Sequence, residues 1–166
     1  ALTLQTWRPY ATGLRNSLAL AWVAPGVLLQ GENSIDYSDE SAPPEELNVL
    51  VAGADYGWPG CVGARQPARG YEGRVDCAKT TAPALLWPAH VAPLQMLAAT
   101  RDVVLGDVAV PAGTWLALLT RPPAVDGDHF ADPTAFRPER WLDGGAGGDA
   151  GAHDPEVMMP FGSGPR

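Results

Sequence analysis

The sequence predicts a mainly β chain with much irregular coil and few or no long helices, and three observations carry that expectation. Nineteen Gly and 17 Pro stand among 166 residues, more than a fifth of the chain, where about 12% is usual. The longest proline-free runs, Gly26 to Ala42 and Leu94 to Val110, both contain glycine, so no long uninterrupted helix has room. The apolar residues fall in short runs bounded by turn residues, the pattern of strands rather than of amphipathic helices.

Taken in order, Leu18 to Val23 and Gly26 to Gln30 are apolar runs separated by Ala24-Pro25, which predicts a tight hairpin. Leu47 to Val51 predicts a third strand, ended by Ala52-Gly53-Ala54-Asp55. Between the second and third strands, Ser34 to Glu46 carries five acids and Pro43-Pro44. It reads as a long loop whose acids form either a solvated surface or a functional segment. From Arg101, Val103 to Leu105 and Val108 to Val110 flank Gly106-Asp107, a two-residue hairpin signal. Trp115 to Thr120 is a further apolar run, a strand or one helical turn. Residues 121–166 hold seven of the 17 prolines and a Gly/Ala tract from Gly144 to Gly151, and read as coil. Leu, Ile, Val and Phe make only about a fifth of the chain, so the expected core is thin.

The formal net charge of −8 with no basic stripe argues against a nucleic-acid or anionic-membrane partner. No apolar stretch approaches the length of a bilayer span. The first residue is Ala and no signal peptide opens the chain, so a processed or truncated N-terminus is expected. Cys61 and Cys77 are the only cysteines. A disulfide is the favoured reading, and two buried free thiols the alternative. A metal site would need more ligands than the two thiols, and no neighbouring histidine supplies them. A disulfide would imply export to an oxidising compartment.

Four ordered motifs carry a resemblance. Gly13-Leu14-Arg15-Asn16 precedes the first strand, Gln30-Gly31-Glu32-Asn33 follows the second, Asp55-Tyr56-Gly57-Trp58-Pro59 follows the third, and Pro88-Ala89-His90-Val91-Ala92-Pro93-Leu94-Gln95-Met96 lies downstream. Over residues 12–96 they resemble the soluble glucose/sorbosone dehydrogenases, quinoprotein β-propellers that bind pyrroloquinoline quinone (PQQ) and calcium. The resemblance implies that Arg15, Asn16 and Asn33 contact the quinone, the guanidinium being suited to its carboxylates. It implies backbone carbonyls of Ser34 and Ile35 toward calcium, at a point where the family's Gly-Pro is replaced. On the residues alone, the alternative for Arg15 and Asn16 is a turn-stabilising pair at a blade edge. Tyr56 to Pro59 reads as a packed aromatic corner and His90 as structural. The family's histidine base lies well upstream of its Arg-Asn motif, where this sequence has no histidine.

A second resemblance covers residues 101–166. The hairpin ending in Val110-Pro111-Ala112-Gly113-Thr114, the segment Asp128-His129-Phe130-Ala131-Asp132-Pro133, then Phe136-Arg137-Pro138-Glu139-Arg140-Trp141 and Pro160-Phe161-Gly162-Ser163-Gly164-Pro165-Arg166 are similar to the C-terminal region of cytochrome P-450 monooxygenases. There Arg140 would lock the meander, Phe161, Gly162 and Gly164 would line the haem, and Arg166 would pair with a haem propionate. The axial cysteine would stand two residues after Arg166, and no Glu-x-x-Arg helix precedes Arg101. His129 and His153 read as surface residues.

The expected organisation is therefore a partial propeller over 1–96, a junction at 97–100 and a partial P-450 region over 101–166. The expected function is that of a chimeric or truncated oxidoreductase fragment, inactive alone and acting on a small molecule if active. The alternatives are a non-catalytic β-rich binding module and one piece of a longer oxidoreductase. The first resemblance implies a periplasmic or secreted protein, the second a cytoplasmic one.

Overall fold

The structure, a computed structural model, describes residues 8–39, 41–119 and 126–135. Ten strands and one 3-10 turn are found among the described residues. The chain divides into two compact units, Ala1–Leu119 and Thr120–Arg166.

In the first unit, β1 (Ala19–Ala24), β2 (Val27–Glu32), β3 (Glu45–Leu50) and, beyond the two short strands named below, β6 (Leu85–Trp87) form a four-stranded sheet in the order β1-β2-β3-β6. All three pairings are antiparallel. The first hairpin turns at Pro25-Gly26, one residue later than the expected Ala24-Pro25. The third strand starts two residues earlier than the sequence reading, so Glu45 and Glu46 leave the loop and enter the sheet. β4 (Cys61–Val62) and β5 (Gln66–Pro67) make a short ladder inside the cysteine loop, which ends in a 3-10 turn, Cys77–Lys79. Cys61 and Cys77 are joined by a disulfide, as favoured.

β7 (Pro93–Ala98) pairs antiparallel with β10 (Trp115–Leu119), and β8 (Val103–Leu105) with β9 (Val108–Val110) forms the hairpin between them, turning at Gly106-Asp107. β7 runs through residues 97 and 98, and the unit closes only at Leu119. The pairing of β7 with β10 therefore runs into the stretch 97–100. The apolar run from Trp115 is a strand, because β7 offers it an antiparallel partner.

Strand alternation gives the sheet two unlike faces. One carries Ala19, Leu29 and Leu47, on which Met96 of β7 packs, with Ala21, Val23, Val27 and Trp87 around them. Gly31 lies on this face beneath Pro93. A Cβ there would come within 3.0 Å of the Cβ atoms of both Ala19 and Pro93, so a bare backbone is what lets β7 approach. The other face carries the cross-strand pairs Gln30–Asn48 and Glu32–Glu46, all four buried. The core is thin, as the composition implies, and Leu20, Trp22, Val104, Leu105, Val108 and Trp115 are exposed.

Of the second unit, residues 126–135 are described. The Asp126 carbonyl accepts from the N–H groups of His129 and Phe130, and its carboxylate from Asp128 N–H at 2.9 Å. Phe130 is buried and His129 exposed, the latter as expected.

Candidate functional site

The polar face of the sheet is where chemistry-bearing side chains gather. The strand alternation that places Leu29 and Leu47 on one side puts Gln30, Glu32, Glu46 and Asn48 on the other. There a continuous hydrogen-bonded chain runs across β2 and β3. Gly63 N–H donates to Glu46 Oε1 at 2.5 Å. Asn48 Nδ2 donates to Glu46 Oε2 at 3.2 Å and to Gln30 Oε1 at 3.0 Å. Gln30 Nε2 donates to Glu32 Oε2 at 2.6 Å and to Ser17 Oγ at 2.9 Å. Glu32 Oε1 in turn accepts the backbone N–H groups of Arg15 and Asn16, at 2.7 and 2.6 Å. A buried carboxylate needs such donors, since leaving one unmatched is costly. Asn48 Oδ1 is the exception, buried with no partner among the described residues.

Arg15 is brought to this chain by the segment before it. Thr12 N–H donates to Ala54 O at 2.9 Å, Tyr56 N–H to Thr12 O at 3.0 Å, and Trp58 N–H to Gly13 O at 2.8 Å. Gly13 has φ +72°, and a Cβ there would lie 2.1 Å from Asp55 Oδ1, so this lacing requires glycine. Beyond it, Arg15 Nη1 donates to the carbonyls of Asn33 at 3.0 Å and Ser34 at 2.7 Å. The guanidinium lies 5.6 Å from the Trp58 ring centre, a cation–π distance. Asn33 N–H donates to Asn16 O at 3.1 Å, and Asn33 Nδ2 to Pro93 O at 3.0 Å.

Burial pushes all three sheet carboxyls up. For Glu46 desolvation dominates, with the neighbouring Glu32 and Glu45 charges adding to it, and it is raised to about 7. Glu32 is raised by burial against the opposing pull of its Asn16, Gln30 and Arg15 donors. Glu45, on the opposite face beside Ser34, is raised by burial although it accepts Ser34 N–H at 2.5 Å. On the surface, hydrogen bonds from Ser41 lower Asp39.

Of the residues the sequence singles out, the structure thus brings Arg15, Asn16, Asn33 and Ser34 together, and leaves Ile35 half-buried beside them. Tyr56 is the packed corner expected: its hydroxyl donates to Val49 O at 2.5 Å and accepts Val51 N–H at 3.1 Å. His90 has φ +61° and its Nδ1 lies 3.2 Å from Asp36 Oδ1, so it ties the start of the acidic loop to the turn before β7. Arg140, His153, Phe161, Gly162, Gly164 and Arg166 lie outside the described residues. Missing from the sequence reading are Glu46, Asn48 and the role of Glu32. Their i, i+2 spacing on facing strands is the one available signal.

The donor set tests the two cofactors of the first resemblance. Arg15, which is exposed, and Asn16 fit an anionic, carboxylate-bearing ligand, and Asn33 gives one amide N–H to Pro93 O. Calcium does not fit at Ser34, whose carbonyl already accepts from a cation. Among the described residues no three His, Cys, Asp or Glu side chains converge on a common metal position. For haem, neither cysteine is a free thiol, so these residues offer no thiolate.

Comparison with known proteins supports both resemblances. The cytochrome P-450 family model matches residues 89–166. Among curated relatives, probable cytochrome P-450 12a5, mitochondrial, of Drosophila melanogaster is 39% identical over 74 residues, which cover 40% of this chain and 14% of that protein. The chain thus spans about a seventh of the length of that relative. Among solved structures, the iodide structure of the Trichoderma reesei Carbohydrate-Active Enzymes Family AA12 protein superposes with a TM-score of 0.50 at 22% identity, covering 61% of this chain and 37% of that one. That likeness is one of fold. A putative oxidoreductase (glucose dehydrogenase) of Thermus thermophilus aligns at 26% identity with a TM-score of 0.45, over 69% of this chain and 28% of that one. The described residues are mainly β, residues 89–166 are similar to cytochrome P-450, and 61% of the chain shares a fold with the AA12 protein.

Proposed function

We propose that the chain joins part of a PQQ-dependent sugar dehydrogenase propeller, residues 1–96, to part of a cytochrome P-450 haem region, residues 101–166, and that these residues alone turn over neither substrate. The observation that carries the reading is the Cys61–Cys77 disulfide: both thiols in the sequence are consumed by it, leaving none to ligate haem iron. In the first part, Arg15 and Asn16 would hold the quinone through its carboxylates. A bound quinone would supply a two-electron acceptor for hydride from a sugar carbon. The work left to the protein is removal of the hydroxyl proton, which needs a positioned base. His90, the described histidine of that part, is engaged by Asp36 instead. In the second part, Phe161, Gly162, Gly164 and Arg166 would face the haem and Arg140 would brace them.

The disulfide favours an oxidising compartment for the chain. A second reading, one piece of a longer oxidoreductase whose other segments bring base and thiolate, is favoured by the short span of each relative that this chain covers. The two readings agree on the isolated chain and part on the longer transcript. Incubation with haem is expected to yield no thiolate–carbon monoxide Soret band, and incubation with PQQ and an aldose no dye reduction. Either signal would refute the corresponding half. A transcript running past Arg166 into a Cys codon two positions on would favour the longer enzyme.

A further inference from the structure

We propose that the Arg15 guanidinium is a built-in cation that closes the Asn33–Ser34 turn where the dehydrogenase resemblance calls for calcium, so that this turn is held without metal. The resemblance supplies only the place where calcium would be expected. The inference itself stands on the geometry, and its test reads the turn rather than turnover, so it can fail while the proposed function survives.

Three observations converge. First, one nitrogen, Nη1, bridges both carbonyls of the turn, Asn33 O at 3.0 Å and Ser34 O at 2.7 Å. Both are hydrogen-bond lengths, and the shorter falls in the charge-assisted range. Calcium bound to Ser34 O would sit about 2.4 Å from that oxygen. A divalent ion and a guanidinium on the same carbonyl would repel at short range.

Second, the buried carboxylates bonded to this region already accept N–H groups. Glu32 Oε1 accepts two backbone N–H groups, and Oε2 accepts Gln30 Nε2. Glu45 Oε2 accepts Ser34 N–H. Asn33 cannot turn its amide oxygen inward without giving up the Nδ2 bond to Pro93 O.

Third, the guanidinium is held where it stands. Its own backbone N–H is anchored on Glu32, and the Trp58 ring lies 5.6 Å from its centre. The planar fork can bond two carbonyls and lie against a ring at once, which a bare metal ion cannot do.

Hydrogen exchange on the full 166-residue chain, read at the Asn33 N–H that donates to Asn16 O, tests this. Exhaustive chelation with EGTA, followed by calcium to millimolar levels, is expected to change its exchange rate less than about twofold. Arg15→Ala is expected to speed it tenfold or more, and Arg15→Lys to fall between. Tenfold faster exchange on chelation, reversed by calcium, would overturn the proposal, as would unchanged exchange in Arg15→Ala. Terbium adds a direct probe: sensitised luminescence that saturates on the unaltered chain and vanishes in Trp58→Phe would place a metal beside Arg15 and overturn it. Its absence supports the built-in cation. The chelation and terbium arms use the native sequence, so they decide the matter even where Arg15→Ala fails to fold.

Discussion

The polar face of the β1-β2-β3-β6 sheet and the β8–β9 hairpin solve opposite problems. On the sheet, four polar side chains are buried, and their hydrogen bonds run from the disulfide loop to the Arg15 segment. In the hairpin, Val104, Leu105 and Val108 are apolar and exposed, held by a ladder of three residue pairs. The first region is specific and self-contained, since each buried group constrains its neighbours. The second has the residues of an interior element but no cover among the described residues of its own unit. The contrast teaches that the Arg15 region owes its geometry to contacts within residues 12–96, whereas the hairpin contributes little to the stability of the unit.

That contrast can be broken by mutation. Leu29, 1% exposed between the strands, should cost about 3–4 kcal/mol as Leu29→Ala, measured by urea unfolding. A loss below about 1 kcal/mol would mean the small core is not what holds the sheet. Opening the disulfide by a paired Cys61→Ser and Cys77→Ser change should cost about 3 kcal/mol, since it frees a loop of 16 residues' separation. It should also loosen Gly63 from Glu46.

Glu46 gives a pH signature. Its carboxyl is raised from 4.5 to about 7 in the fold, so the unfolded chain releases its proton first. The contribution of Glu46 to stability is therefore greatest below about pH 4.5, declines as pH rises through the window to about 7, and is flat above it. With partial solvent contact allowed for, the decline should be roughly 2 kcal/mol. Glu46→Gln should remove it from the pH profile of the unfolding midpoint; an unchanged profile would mean that Glu46 is ionised in the fold. At the small end, Val104→Ala in the hairpin should change stability by less than about 0.5 kcal/mol. A loss like that of Leu29→Ala would erase the contrast between the two regions.

How much of this was legible in the sequence follows from how local each signal is. The first hairpin, expected to turn at Ala24-Pro25 and found to turn one residue later, and the Gly106-Asp107 turn are both written in adjacent residues. The gathering of Arg15, Asn16, Asn33 and Ser34 was legible through four spaced motifs. Glu45 and Glu46 were not, because acids after Pro43-Pro44 look like a solvated loop. Their burial depends on Glu32 across the strand pair and on Gly63 and Ser34, which lie 17 and 11 residues away. The β7–β10 pairing was hidden for a similar reason: a whole hairpin stands between the partners, and the texture of the sequence changes at Arg101, between β7 and β8. The bonds of the Arg15 guanidinium to the Asn33 and Ser34 carbonyls were also illegible, because they depend on a turn 18 and 19 residues away.

The central claim, that these residues join two oxidoreductase segments without completing a haem-thiolate centre, is tested most directly by the carbon monoxide difference spectrum of the chain reduced by dithionite after haem addition, with the Cys61–Cys77 disulfide verified intact. No thiolate-type shifted Soret band is expected. A stoichiometric band of that type would contradict the account.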